Sequence, residues 1–168
     1  KSAGGDCIFY PQAKDMYDLG YSTYVNVEKI TDYLCGASRP GHFRGVATVV
    51  AKLFNIIRPD IAYFGQKDFQ QALVIKKMVK DLNMPLKIKV MPIVRDSDGL
   101  ALSSRNVYLS AREKSDALAL SRSSQKAKEM ILGGEKNSEK ISAEIKKEII
   151  QKKSARIDYI AVADTDTL

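Results

Sequence analysis

The chain has 168 residues, 45% of them hydrophobic and 28% charged, and a net charge of +7 from 27 Lys and Arg against 20 Asp and Glu. Such a soluble, globular composition fits one large or two small domains, each able to bury a core. No apolar run approaches the ~20 residues of a membrane span, and the opening residues KSAGGDCIFY lack the pattern of a signal peptide.

The basic balance raises nucleic acid as a partner. The lysines of residues 126–153, however, alternate with Glu129, Glu135, Glu139, Glu144 and Glu148. This is the pattern of a solvated helix face, without the clustered basic and aromatic groups of a nucleic-acid footprint. Cys7 and Cys35 lie far apart in apolar settings and are expected to be buried free thiols in a reducing cytoplasm. The single histidine, His42, excludes a His-rich metal cluster.

In chain order, residues 6–9 read as a buried opening strand, residues 11–16 as a turn into a helical stub, and residues 24–27 as an alternating strand. Residues 36–45 form a loop with three glycines, a proline, Arg39, His42 and Arg44, able to bring backbone and guanidinium groups close to an anion. Val46, Val49, Val50, Leu53 and Ile57 recur at helical spacing until Pro59. Residues 61–64 are a short apolar run, expected to be a strand buried on both faces. Phe69, Ala72, Ile75, Val79 and Leu82 then mark a second helix. Leu86, Ile88 and Val90 alternate with Lys87 and Lys89 as a strand with one wet face. The alternation of strands and helices argues for an α/β fold with parallel pairing.

At Pro92 the character changes, dividing the chain into 1–92 and 93–168. Ser103-Ser104-Arg105 follows a turn at residues 95–99 as a donor-rich loop suited to polyphosphate oxygens. Ser110 and Glu113 have capping-box spacing. The helix they open is expected to bury Ala117, Leu120, Ser124, Ala127 and Ile131 before Gly133-Gly134 closes it. Ser138 is expected to cap a last helix to about residue 152, and residues 157–163 to form a strand.

The chemistry centres on residues 60–71. A strand that ends at Gly65 and turns into a helix exposes unpaired N–H groups where the helix dipole favours anions. Lys67 sits in that turn, and Gln70 and Gln71 add amides that can grip a neutral or anionic substrate. In open α/β sheets, ligands bind at this carboxyl end of the strands.

The segments GASRPGHFRGVATVVAKLFNIIRPDIAYFGQKDFQQ (36–71), PIVRDSDGLALSSRN (92–106) and the terminal DTDTL resemble the pantothenate synthetase (pantoate–β-alanine ligase) family. The resemblance implies a partial Rossmann-like nucleotidyltransferase parallel sheet followed by a smaller α+β C-terminal domain. It also implies the family's two-step reaction: pantoate and ATP give pantoyl adenylate and pyrophosphate, then β-alanine displaces AMP. By resemblance, Gly65, Gln66, Lys67 and Asp68 contact ATP, Lys67 through its phosphates and Gly65 and Asp68 through the ribose. Val94 lines the adenine site by its backbone. Leu102, Ser103, Ser104 and Arg105 match a KMSKS-type loop for the β- and γ-phosphates, and Gln71 binds pantoate. Magnesium is implied as the counter-ion of ATP, with no carboxylate assigned to it, and a cytoplasmic homodimer as the working form.

The family's His-x-Gly-His motif and a pantoate-binding glutamine near it are absent, so the chain is expected to be an internal portion of the family's polypeptide. Two alternatives stand beside the ligase: another nucleotidyltransferase, such as a cytidylyltransferase, and a nucleotide-binding module without turnover.

Overall fold

A computed structural model describes residues 2 and 4–165. The elements are α1 (Ala13–Met16), α2 (Cys35–Ser38), α3 (His42–Ile57), β1 (Ile61–Gly65), α4 (Phe69–Asp81), β2 (Lys87–Met91), α5 (Ala111–Leu132) and α6 (Ser138–Ile150), with 3₁₀ turns at Gln66–Asp68 and Ser104–Tyr108.

β1 and β2 pair in parallel, Ile61 opposite Lys87 and Gly65 opposite Met91. Parallel neighbours need a crossover, and α4 supplies it. The core lies between α3, α4 and one face of this pair. Ala47, Val50 and Ala51 of α3 meet Val74, Ile75, Met78 and Val79 of α4, with Val27 beside them and Phe64 and Ile88 packed from the strands. The alanines let the two helices approach closely, and Ala47, Val74 and Ile75 retain no exposed surface.

The expectation that residues 61–64 are buried on both faces is not met. Burial alternates along β1, and Tyr63 is 59% exposed with Lys89 Nζ 5.8 Å from its ring centroid. An apolar run shows that a strand tolerates two dry faces, but here the helices cover only one. On α4 the expected stripe is correct at Ala72, Ile75 and Val79, while Phe69 and Leu82 lie outside it, exposed.

Three expected strands are absent. Residues 6–9 pair with nothing among the described residues, leaving Ile8 81% exposed, Phe9 exposed, and Cys7 exposed rather than buried. Residues 24–27 also form no strand. Val25 N donates instead to Thr48 Oγ1 of α3 at 3.0 Å, so a helix side chain takes the place of a strand partner. Residues 157–163 likewise have no strand partner and run toward α2. There Tyr159 Oη lies 2.7 Å from the half-buried Cys35 Sγ, and Ser38 Oγ donates to Asp158 Oδ2 at 2.5 Å.

The loop expected at 36–45 is shorter than its composition suggests. α2 occupies its start and α3 begins at His42, with Gly41 at the N-cap in the left-handed region, φ 78°. Beyond β2, Arg95 and Ala101 form an isolated antiparallel bridge. The capping box of α5 forms as expected: Ser110 Oγ accepts from Glu113 N, and Ser110 N donates to the Glu113 carboxylate. The expected stripe on α5 is misplaced. Ala119 and Ser123 are buried, whereas Leu120 is 60% exposed and Ile131 is also exposed. α6 lies along α5 and buries Ile141 and Ile149, so burial on α5 follows the small residues that admit a neighbour. The α6 cap is Asn137, whose Oδ1 accepts from Lys140 N at 3.0 Å, one residue before the expected Ser138. The basic residues of this hairpin pair with acids, Lys126 with Glu144 and Lys140 with Glu135, as a solvated face does. The terminal Asp164 and Thr165 are described, but the remainder of the DTDTL match, 166–168, lies outside the described residues.

Two outcomes follow from this packing. Ile75→Ala should destabilise the fold by about 2–5 kcal/mol in urea unfolding; a loss well under 1 kcal/mol would mean that Ile75 does not occupy the core. Although the residue is 43% exposed, partial desolvation of the hydroxyl, then the contact with Cys35, pushes the Tyr159 phenol up to about 12. Because the folded value lies above the ordinary one, the stability Tyr159 contributes is complete below pH ~10 and is lost as pH rises toward ~12. In an ultraviolet titration of the eight tyrosines, one tyrosinate should appear last, and Tyr159→Phe should abolish that late phase.

Candidate functional site

β1 ends at Gly65, whose backbone is ordinary extended chain, φ −83° and ψ 136°. A Cβ added there would meet nothing within 4 Å. Neither backbone geometry nor internal packing demands glycine, so the missing side chain keeps open space at the carboxyl end of the strand. The 3₁₀ turn Gln66–Asp68 follows, and α4 begins with Asp68 at its N-cap and no side chain bonded to that end. No side chain competes at that end, where the helix dipole favours an anion. Lys67 Nζ stands 3.5 Å from Asp68 Oδ1, with both side chains open to solvent. An exposed pair of this kind holds weakly and exchanges readily for a phosphate.

The two glutamines differ. Gln71 is half-buried, and its amide has no hydrogen-bond partner among the described residues. Gln70 is buried and fully engaged with backbone at residues 30–35. The expectation that Gln70 grips a substrate is thus corrected: its donors are consumed inside the fold. A signal for this was present, since Gln70 stands four residues before Val74 and eight before Met78, on the stripe that α4 buries.

Because Gly65 is opposite Met91, the segment after β2 leaves the same end of the sheet as the 66–68 turn. It is organised by its own polar groups. Leu102 N donates to Val94 O at 2.9 Å and Asp96 N to Leu100 O at 2.9 Å. Asp96 Oδ1 accepts from Asp98 N and Leu100 N, and Arg95 Nη1 donates to Gly99 O at 3.0 Å. Lys114 Nζ lies 3.6 Å from Asp96 and 3.7 Å from Asp98. Ser103 Oγ accepts from Arg105 N at 3.2 Å, and Asn106 Nδ2 donates to Ala101 O at 3.0 Å. Ser104 and Arg105 are exposed, and Arg105 has no ion pair among the described residues. Val94 and Leu102 are exposed apolar surface at the two limbs of this hairpin.

Topology thus sends Gly65–Asp68 and residues 94–105 out from one sheet edge, while no hydrogen bond or ion pair joins Lys67 to Ser103, Ser104 or Arg105. Of the basic loop groups, the Arg44 guanidinium stacks 4.0 Å from the Tyr24 ring centroid. A cleft of about 470 Å³ beside it is lined by Thr31, Asp32, Arg39, Phe43 and Arg44, among others. Among the described residues, no group of three or more His, Cys, Asp or Glu could hold a metal ion. The contacts of Cys35 and Ser38 with Tyr159 and Asp158 had no signal in the sequence, because their partners lie 124 and 120 residues away.

The Pantoate-beta-alanine ligase family model matches residues 1–168. The pantothenate synthetase of Acetivibrio thermocellus is 58% identical over 168 residues, covering 100% of this chain and 60% of that protein. That of Moorella thermoacetica is 55% identical over 166 residues, covering 99% and 59%. Among solved structures, pantothenate synthetase from Thermus thermophilus superposes with a TM-score of 0.94 at 43% identity, covering 99% of this chain and 60% of that one. A Francisella tularensis pantoate-beta-alanine ligase complexed with beta-gamma ATP and beta-alanine gives 0.61 at 37% identity, over 80% and 50%. The chain spans about 60% of the length of the curated relatives it matches. Its α/β architecture is that of a Rossmann-like nucleotidyltransferase, and the chain belongs to the pantoate–β-alanine ligase family.

Proposed function

We propose that this chain carries part of the machinery for ATP-dependent condensation of pantoate with β-alanine. The observation that carries the reading is the turn at Gly65–Asp68. A helix end without a side-chain cap, the exposed Lys67 ammonium and unfilled space at Gly65 adjoin one another in the chain at the carboxyl end of β1. A pantoate carboxylate oxygen attacks the α-phosphorus of ATP, forming pantoyl adenylate as pyrophosphate leaves. The β-alanine amine then attacks the acyl carbon; the new amide retains the pantoyl group, and AMP departs with the bonding electron pair.

Such chemistry needs positioning and charge stabilisation more than a protein nucleophile. Lys67 and the α4 N-terminus meet the phosphates, and Gly65, Gln66 and Asp68 approach the nucleotide. Ser103, Ser104 and Arg105 hold the β- and γ-phosphates, with Leu102 and the Val94 backbone on the nucleoside side. Gln71 presents its free amide to pantoate. ATP and β-alanine are also the ligands named for the Francisella relative. Magnesium enters as the counter-ion of ATP; the described residues offer no cluster of His, Cys, Asp or Glu to hold it. In this reading residues 1–92 and 93–168 are two functional units, and the complete polypeptide works as a cytoplasmic homodimer. No helix among the described residues is long and apolar enough to cross a membrane.

Exchange of pyrophosphate into ATP that depends on pantoate tests the reading in the full-length polypeptide. A cytidylyltransferase or a module without turnover shows none. Within this assay, Lys67→Ala should slow adenylation by about 10²–10³-fold, the usual cost of one preorganised donor, while leaving pantoate affinity nearly unchanged. A variant within about threefold of wild type in single-turnover adenylation removes Lys67 from this role.

A further inference from the structure

We propose that Gln70 is a positioning residue for the organic-acid subsite at Gln71, acting by clamping a strained turn at residues 30–36 onto the first turn of α4. The inference rests on the reading above, in which Gln71 binds pantoate.

Gln70 is 7% exposed. Its Oε1 accepts from Cys35 N at 3.0 Å, and its Nε2 donates to Ile30 O at 2.9 Å and to Tyr33 O at 2.8 Å. Both amide hydrogens are used, and all three partners are backbone groups 35–40 residues upstream. The pattern also sets the amide orientation, because a flipped group would face two carbonyls with its oxygen and an N–H with its nitrogen.

The turn it holds is unfavourable by itself. Lys29 has φ 68°, and Leu34 has φ 52° with ψ −122°. Leu34 lies between Tyr33 and Cys35, both bonded to Gln70, in a conformation that is unfavourable for a residue other than glycine and persists only when its surroundings over-determine it. Gly36 completes the winding: a Cβ there would stand 1.7 Å from Thr31 O. Directly after the turn, Cys35 and Ser38 contact Tyr159 and Asp158. One buried amide therefore joins the start of α4, the turn, and through the turn the segment at 158–159.

Consecutive helical residues leave the axis about 100° apart. With Gln70 locked inward, the rotation of the first turn of α4 is set, and with it the direction in which Gln71 projects. A bracket that merely stabilised the fold would leave substrate preference untouched, and this separates the two roles.

Gln70→Met keeps length and burial while deleting all three bonds. In the full-length polypeptide, the KM for pantoate in pyrophosphate exchange should rise about tenfold or more, with the KM for ATP held within about twofold. Unchanged KM values with a smaller active fraction overturn the proposal, as do equal rises for both substrates. Gln70→Glu supplies an independent readout. Its carboxylate still accepts from Cys35 N but faces two carbonyls, whereas its protonated form donates to one of them again. The pantoate KM relative to wild type should therefore fall as pH drops from 8 to 6, and a flat ratio overturns the proposal. If Gln70→Met does not fold, Gln70→Glu decides. If neither folds, amide exchange in the wild type decides: Cys35 N–H should exchange about threefold or more slower with saturating pantoate, and an unchanged rate overturns the coupling. A wild type without pantoate-dependent exchange refutes the proposed function and this inference with it. An active wild type with unaffected variants refutes Gln70 alone.

Discussion

The parallel pairing of β1 with β2 is the constraint on which the rest of this structure depends. Two neighbouring strands that run the same way cannot be joined by a tight turn, so the chain must climb back over the sheet. α4 does this, and its burial against α3 makes the core of Ala47, Ala51, Val74 and Ile75. The same constraint puts both carboxyl ends together, with Gly65 opposite Met91. Residues 66–68 and 94–105, separated in sequence by a helix and a strand, consequently leave from one edge. Antiparallel pairing would have sent them to opposite ends.

Around that edge, polar groups divide into committed and uncommitted ones. Among the described residues no buried side-chain nitrogen or oxygen lacks a partner. Thr48 holds Val25 N, Asp96 closes its hairpin, Asn106 holds Ala101 O, and Gln70 holds residues 30–35. Lys67, Gln71 and Arg105 are different. One has only a loose exposed pair, and the other two have neither a hydrogen-bonded side chain nor an ion pair. In the function proposed above these uncommitted groups are the ones that meet the ligand, and a donor near a helix N-terminus is stabilised by an incoming anion.

The segment at 30–38 is a junction between parts of the chain far apart in sequence. Strain at Leu34, the close approach at Gly36 and three bonds to Gln70 occur within seven residues. Nearby, the Tyr159 hydroxyl and the Asp158 carboxylate bring the end of the described chain to the same place. A strained conformation of this kind persists when its surroundings over-determine it, and here three stretches of chain meet around it.

Much of this was legible in the sequence. Helices α3, α4 and α5 and the Ser110–Glu113 cap follow from periodicity and local hydrogen bonding, which act within a few residues, and the parallel pairing of β1 with β2 from their alternation with helices. The turn at Gly65–Asp68 was readable for the same reason, since a strand, a glycine and a helical stripe in succession specify it locally. Tertiary structure alone decided the rest. Residues 6–9, 24–27 and 157–163 have strand-like composition yet form none, because a strand exists only when a second strand accepts its backbone bonds. It also decided that Ala119 and Ser123, and not Leu120, face α6, and that of two adjacent glutamines one is a buried clamp and the other free. Periodicity encodes the face a residue occupies; what stands opposite that face is set by chain tens of residues away.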